Sequence, residues 1–214
     1  MTKIDTNHYN LLSSGAFIKA GGKMEHTQEI EQYIDLLLKW NEKMNLTGIY
    51  DRAHIMNTLV LDSMACLEFI PESGNLVDIG SGAGIPGIIV KIFRPELRTY
   101  LVEPRLKRSV FLKEAIRTLD LKKTIVLDVP FDVVHQPGNL SPATIDVITI
   151  RAVRLDSNII NGAKKLLVSG GYFLLFSYLS PEDELILHKN GFDIVREVRQ
   201  LGREKPLLYA CRLI

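Results

Sequence analysis

The run Leu76-Val77-Asp78-Ile79-Gly80-Ser81-Gly82-Ala83-Gly84-Ile85-Pro86-Gly87 limits what this chain can fold into more than any other segment. It reads as a short apolar strand ending in a carboxylate, then glycines at alternate positions, then an apolar stretch of helical character. Glycines at that spacing remove Cβ atoms where the backbone turns sharply and where a ligand can lie against the main chain. A second strand, residues 98–103, also ends in a carboxylate, and Glu103 lies 25 residues after Asp78. A carboxylate at the tip of the second strand suits the two hydroxyls of an adenosine ribose. The pattern points to a nucleoside cofactor on a parallel α/β sheet.

The remaining periodicity agrees with that fold class. Strand signals at 75–79, 98–103, 124–127, 145–150 and 171–176 alternate with helix signals at 86–93, 105–119, 156–167 and 181–189. Such alternation implies βαβ crossovers and a parallel sheet. The end of the chain differs: 192–201 alternates, Gly202 to Pro206 reads as a turn, and 207–213 reads as another strand, together a hairpin with one antiparallel strand. Ahead of the first strand, Thr27 is placed to cap a helix whose stripe is Ile30, Ile34, Leu37, Leu38 and Met44, and a second helix is predicted from about Arg52 to Phe69. Residues 1–25 are polar and weakly patterned, and are expected to be mobile or loosely packed. The organisation predicted is therefore residues 1–70 as an N-terminal segment with a helical cap, and 71–214 as a cofactor-binding domain.

Bulk properties narrow the class. In 214 residues, 46% hydrophobic and 24% charged, there is room for one full domain and a small appended segment. No apolar run approaches the roughly 20 residues of a membrane span, and no apolar signal region opens the chain. Cys66 and Cys211 sit in apolar sequence with no CxxC spacing, which suits reduced, buried thiols. We expect a cytoplasmic, monomeric protein with no membrane partner and no metal site. The net charge is only +1, but residues 94–123 hold 9 Lys and Arg against 4 acidic residues. That imbalance is either a solvated helix face or a phosphate-facing patch beside the site.

In an open α/β sheet, ligands bind beyond the carboxyl ends of the strands where strand order reverses. This places Asp78, Gly80, Ser81, Gly82, Gly84, Glu103, Asp128, Val129 and Arg151 as candidate cofactor-binding residues. A carboxylate opening the turn would repel a pyrophosphate and suit a cationic amino-acid moiety, which favours S-adenosylmethionine over a dinucleotide. Plainer readings stand beside each assignment. Asp78 could only cap the turn, Glu103 could pair with Arg105 or Lys107, Arg151 could be a buried ion-pair partner, and Trp40, Asn41, Asn45 and Thr47 could be core and turn residues.

The segments 40–47 (WNEKMNLT), Leu61-Asp-Ser63, Val77 to Gly87, Lys107-Arg108, Arg151-Ala152 and Pro181-Glu-Asp-Glu184 resemble the glucose-inhibited division protein B family, bacterial small-subunit rRNA guanine-N7 methyltransferases. The resemblance covers about residues 27–214. It implies a class I, Rossmann-like methyltransferase with a seven-stranded, mostly parallel sheet behind N-terminal helices. It further implies S-adenosyl-L-methionine as cofactor and 16S rRNA or a small-subunit precursor as partner, methylated at a guanine N7 in the 530 loop. By the same resemblance Arg151 and Asn45 are candidate catalytic residues, and Arg105, Lys107 and Arg108 candidate RNA contacts. The chain departs from the family pattern at Thr58-Leu59, Val129, Ser177-Tyr178 and Lys205-Pro206, where basic residues are usual. A diverged paralogue acting on another RNA or a small molecule, and an inactive cofactor- or RNA-binding protein, are the alternative readings.

Overall fold

The computed structural model describes residues 17–18, 22–134, 136, 139–199 and 205–214. Seven strands form one sheet: β1 (Ser73–Ile79), β2 (Glu96–Val102), β3 (Thr124–Leu127), β4 (Ile145–Arg151), β5 (Leu167–Phe176), β6 (Phe192–Val198) and β7 (Leu208–Leu213). Their order is β3-β2-β1-β4-β5-β7-β6. Pairings β1–β2, β2–β3, β1–β4 and β4–β5 are parallel, while β7 runs antiparallel to both β5 and β6. The chain winds outward from β1 through β2 to β3, then returns to place β4 on the other side of β1. That reversal opens a crevice at the carboxyl ends of β1 and β4.

Alternation along each strand sorts side chains onto two faces. Leu76, Leu101, Val147 and Leu174 face one core, and Val77, Val102, Ile148 and Phe173 face the other. The first core is roofed by helices α1 (Thr27–Met44), α2 (Arg52–Ile55), α3 (Leu61–Met64), α4 (Gly87–Phe93) and α5 (Leu106–Thr118). The second is covered by α6 (Ser157–Leu166) and α7 (Pro181–Lys189). The helices that precede the sheet thus share a core with α4 and α5. Trp40 of α1 meets Phe111 of α5 edge-on at 5.7 Å between ring centroids.

Local chemistry explains most boundaries. Asp156 caps α6 by accepting from the Ile159 N–H, and Ser180 with Asp183 forms a reciprocal capping box at α7, with Pro181 in its first turn. Three expectations need correction. The predicted helix from Arg52 to Phe69 is interrupted: a π-helical segment, Met56–Val60, separates α2 from α3, and a 3-10 turn, Leu67–Phe69, follows. Thr27 does not cap α1, because a 3-10 turn, Met24–His26, leads directly into it. Loose packing does not hold throughout residues 1–25. Phe17 is 1% exposed and its ring lies 6.1 Å from Phe93, while residues 1–16 and 19–21 lie outside the described residues. The predicted turn at Gly202 also falls outside them.

Cys66 and Cys211 are buried and unpaired, and burial raises both thiols. Among the described residues no helix is long and apolar enough to cross a membrane.

Phe173 joins the hairpin to the parallel strands. It is fully buried, pairs with Cys211 in β7, and its ring lies 5.5 Å from Phe192 of β6. Phe173→Ala is expected to lower stability by about 3–5 kcal/mol. Urea unfolding checks the loss, and faster amide exchange in β6 and β7 checks its location.

Candidate active site

The crevice at the carboxyl ends of β1 and β4 opens into a cleft of about 670 Å³. Its floor is the glycine turn from Gly80 to Ala83. One wall is Glu103, Pro104 and Arg105 after β2, and the other is Arg151, Ala152 and Val153 after β4. Pro130 and Phe131, after β3, and Leu46 and Thr47, after α1, complete the rim.

The turn is held by main-chain and carboxylate contacts. Gly80 and Ser81 both donate their N–H groups to the Val102 carbonyl, at 2.9 and 3.0 Å. The Gly82 N–H donates to Glu103 Oε2 at 2.9 Å, and the Arg105 N–H donates to Oε1 at 2.9 Å. Glu103 is 3% exposed, and each of its oxygens keeps a further lone pair for a ligand in the cleft. Gly82 has φ +55, a left-handed conformation that glycine adopts without penalty, and a Cβ there would meet nothing closer than 3.7 Å. Its requirement for glycine is therefore conformational.

Asp78 lies on the other side of this turn. It is 1% exposed and does not line the cleft. Oδ1 accepts from the Thr149 hydroxyl at 2.8 Å, and Oδ2 accepts from the Gly87 N–H at 3.3 Å. Thr149 is its register partner in β4. The carboxylate therefore couples β1, β4 and the first turn of α4, which corrects the expectation that it faces a cationic ligand. Gly87 must lack a side chain for this: a Cβ would stand 2.6 Å from Leu101 Cδ2 and 2.7 Å from Asp78 Oδ2. Burial pushes the Asp78 carboxyl up to about 6, against hydrogen bonds from Thr149 and Gly87 that pull it down.

The π-helical region supplies a second anchor. Arg151 Nη2 donates to the Thr58 carbonyl at 2.8 Å and lies 3.3 Å from Asp62 Oδ2, with the guanidinium carbon 5.8 Å from the centre of the Phe176 ring. Asp62 is 1% exposed, so the ion pair sits at the protein edge of the cleft, which Arg151 also lines. From α1, the buried Tyr33 hydroxyl donates to the Ala83 carbonyl at 2.7 Å. Burial raises this phenol, so it stays a donor.

Other expected site residues fall elsewhere. Asn45 ends α1 in a left-handed conformation, φ 47, and its exposed side chain accepts from the Tyr50 hydroxyl. It does not line the cleft. The turn that follows is organised by buried Asn41, whose amide donates to Thr47 Oγ1 and the Ile49 carbonyl and accepts from the Thr47 N–H. Asp128 is drawn outward to Lys113 Nζ at 2.9 Å, which holds its carboxyl below the usual range. Val129 packs on the second core, and neither residue lines the cleft. Arg105 and Arg108 do line it, with Arg108 Nη1 4.0 Å from Glu103, whereas Lys107 is exposed beside them. Sequence reasoning missed Tyr33, Phe131 and Val153, and weighed Thr47 only as part of the 40–47 motif. Phe131 carried one usable signal, an apolar residue just past the end of β3.

With this geometry in hand, comparison with known proteins is decisive on family. A family model described as rRNA small subunit methyltransferase G matches residues 26–201. This chain belongs to that family. Ribosomal RNA small subunit methyltransferase G of Xanthomonas oryzae pv. oryzae is 34% identical over 170 residues, spanning 79% of this chain and 77% of that protein. The protein of the same name from Helicobacter pylori is 33% identical over 156 residues, spanning 73% and 84%. A crystal structure of a SAM dependent methyltransferase from Aquifex aeolicus superposes with TM-score 0.60 at 16% identity, covering 79% of this chain and 97% of that one. At that identity the likeness shows the fold, and it bears out the class I expectation. In this chain Thr149 and Gly87 are the partners that let Asp78 stay buried.

A carboxyl raised in the folded state binds protons more readily there than in the unfolded chain. Asp78 therefore contributes stability that is full below about pH 4 and is lost as pH rises through about 6. Relative to Asp78→Asn, the wild type should lose about 2 kcal/mol between those limits. Denaturant unfolding of both proteins across that window checks it, and a carboxyl NMR titration should place the Asp78 midpoint near 6.

Proposed function

We propose that this chain binds S-adenosylmethionine in the cleft and transfers its methyl group to N7 of a guanine in small-subunit rRNA. The observation that carries the reading is the buried Glu103 carboxylate, bonded to the left-handed glycine turn and open to the cleft, in a member of this family. The residues present fit the cofactor. Glu103 offers acceptors for the ribose hydroxyls, Val102, Pro130 and Phe131 offer an apolar slot for adenine, and the glycine turn leaves room for the amino-acid end against the main chain.

When bound, the cofactor supplies a sulfonium-activated methyl group. Guanine N7 carries a free lone pair, so the protein need not remove a proton. What the chain contributes is placement and field. Glu103 and the Gly80–Gly82 turn fix one end of the cleft. Arg151, held by Asp62 and the Thr58 carbonyl, fixes the opposite wall, and Asp62 offsets the cation near a reaction that itself carries positive charge. In this reading Arg151 is the residue at the reacting end, and Asn45 acts only through the turn it terminates.

Arg105, Lys107 and Arg108, at the start of α5 on the cleft rim, supply cations for RNA phosphates. The target base must leave its stack to reach the cleft, as an RNA loop permits. We assign catalysis to residues 71–214 with 1–70 as its cap, working as a monomer in the cytoplasm.

Purified protein, radiolabelled S-adenosylmethionine and unmethylated small subunits test the reading. Incorporation into a single guanine is expected, and its absence with cofactor bound would redirect the search to another acceptor. Gly82→Val forces a β-branched residue into the left-handed region and should weaken cofactor binding at least about ten-fold, measured by calorimetry. Arg151→Ala should lower the transfer rate more than cofactor affinity. A parallel loss of both would make Arg151 an architectural residue only.

A further inference from the structure

A second cavity, of about 470 Å³, lies beside the cleft at the carboxyl ends of β4 and β5. Val153 lines both cavities, and a Cβ on Gly80 would meet Val153 Cγ2 at 2.4 Å, so this side chain marks where the two adjoin over the glycine turn. The residue before it, Ala152, is held at φ 55. A non-glycine residue in that region costs free energy and persists where the surroundings demand it. Glu103 and the glycine turn occupy the β1–β2 side of the cleft, so the second cavity lies past Arg151 on the side away from the ribose position.

The wall of this cavity carries Tyr178, 53% exposed. Lys205 Nζ lies over its ring, 4.0 Å from the centroid. These are two of the positions at which the sequence departs from its family pattern, and the fold brings them together. The remaining polar lining is Ser177, Arg154 and the carboxylates of Asp156, Glu182 and Asp183. Asp156 and Asp183 are engaged in capping α6 and α7, which leaves Glu182 as an exposed acceptor at the mouth. Three carboxylates against the cations of Arg154 and Lys205 make a poor site for a backbone phosphate. They suit a neutral ring that presents N–H donors on one edge and a flat face to an aromatic.

Resting on the methyltransferase reading, we infer that this second cavity receives the acceptor guanine, stacked on Tyr178, with its N1–H and N2–H₂ edge toward Glu182 and N7 toward the cleft. The chemistry of the base fits that orientation, because the donor edge and N7 lie on opposite sides of guanine. Lys205 holds the Tyr178 ring from one face. Aromatic stacking is the usual way a protein keeps an unstacked RNA base in place.

The test compares wild type with Tyr178→Phe, Tyr178→Trp and Tyr178→Ala in steady-state methyl transfer to unmethylated small-subunit rRNA. Cofactor affinity and zero-length photocrosslinking to the same rRNA are measured on each protein. Tyr178→Ala is expected to raise KM for the RNA about ten-fold, the scale of one lost base stack, with Phe and Trp within about two-fold of wild type. Cofactor affinity should be unchanged throughout, and the wild-type crosslink should fall on the peptide containing Tyr178. An unaltered KM in Tyr178→Ala overturns the inference while the methyltransferase reading stands. So does an equal loss in Tyr178→Phe, which would assign the effect to the hydroxyl, or a matching loss of cofactor affinity, which would make Tyr178 structural. If the wild type transfers no methyl to rRNA, the wider reading falls, and the crosslink alone decides: a nucleotide on Tyr178 supports the base site and its absence overturns it.

Discussion

A carboxylate buried under a glycine turn sets the geometry on which the rest of this protein depends. Asp78 accepts from Thr149 in the neighbouring strand and from the Gly87 N–H opening the next helix. Those bonds tie together the two strands between which the chain reverses direction and the helix that leaves the first of them. The cost is a charged group taken out of water, visible in a carboxyl raised to about 6. In return, the turn above has its glycines where the cleft needs bare backbone. Glu103 fastens the same turn from the β2 side. The two acidic strand ends thus divide the work: one supports the turn from below, the other faces the ligand space.

The helices ahead of the sheet belong to this arrangement. Tyr33 reaches the Ala83 carbonyl from α1, and the π-helical segment presents the Thr58 carbonyl to Arg151. A π-helical stretch widens the helix by one residue per turn and changes the direction of its side chains and carbonyls. Here it falls where α2 and α3 meet the wall of the cleft. An N-terminal segment built to bury one apolar stripe therefore also braces both ends of the site.

Charge on the surface is less informative than its count suggests. Four of the nine Lys and Arg in residues 94–123 are engaged in local pairs, Lys113 with Asp128, Arg117 with Glu114, Lys122 with Asp120 and Lys123 with Glu96. Exposed pairs of this kind add little stability. Arg105, Lys107 and Arg108 stand apart because they cluster at the cleft rim, where field and shape act together.

The sequence by itself determined the alternation of strands and helices, the closing hairpin, the glycine turn and the two acidic strand ends. Each of these is written in local periodicity and local backbone chemistry, which neighbours along the chain fully specify. Only the tertiary structure decided which way the carboxylates point. Asp78 and Glu103 look equivalent in sequence, yet one is buried against Thr149, 71 residues away, and the other lines the cleft. The same holds for Asp128, drawn outward by Lys113, for Asn45, spent on a helix end, and for Tyr178 and Lys205, joined across the end of the sheet. Side-chain direction depends on partners that are close in space and remote in the chain, and a periodic pattern carries no record of them.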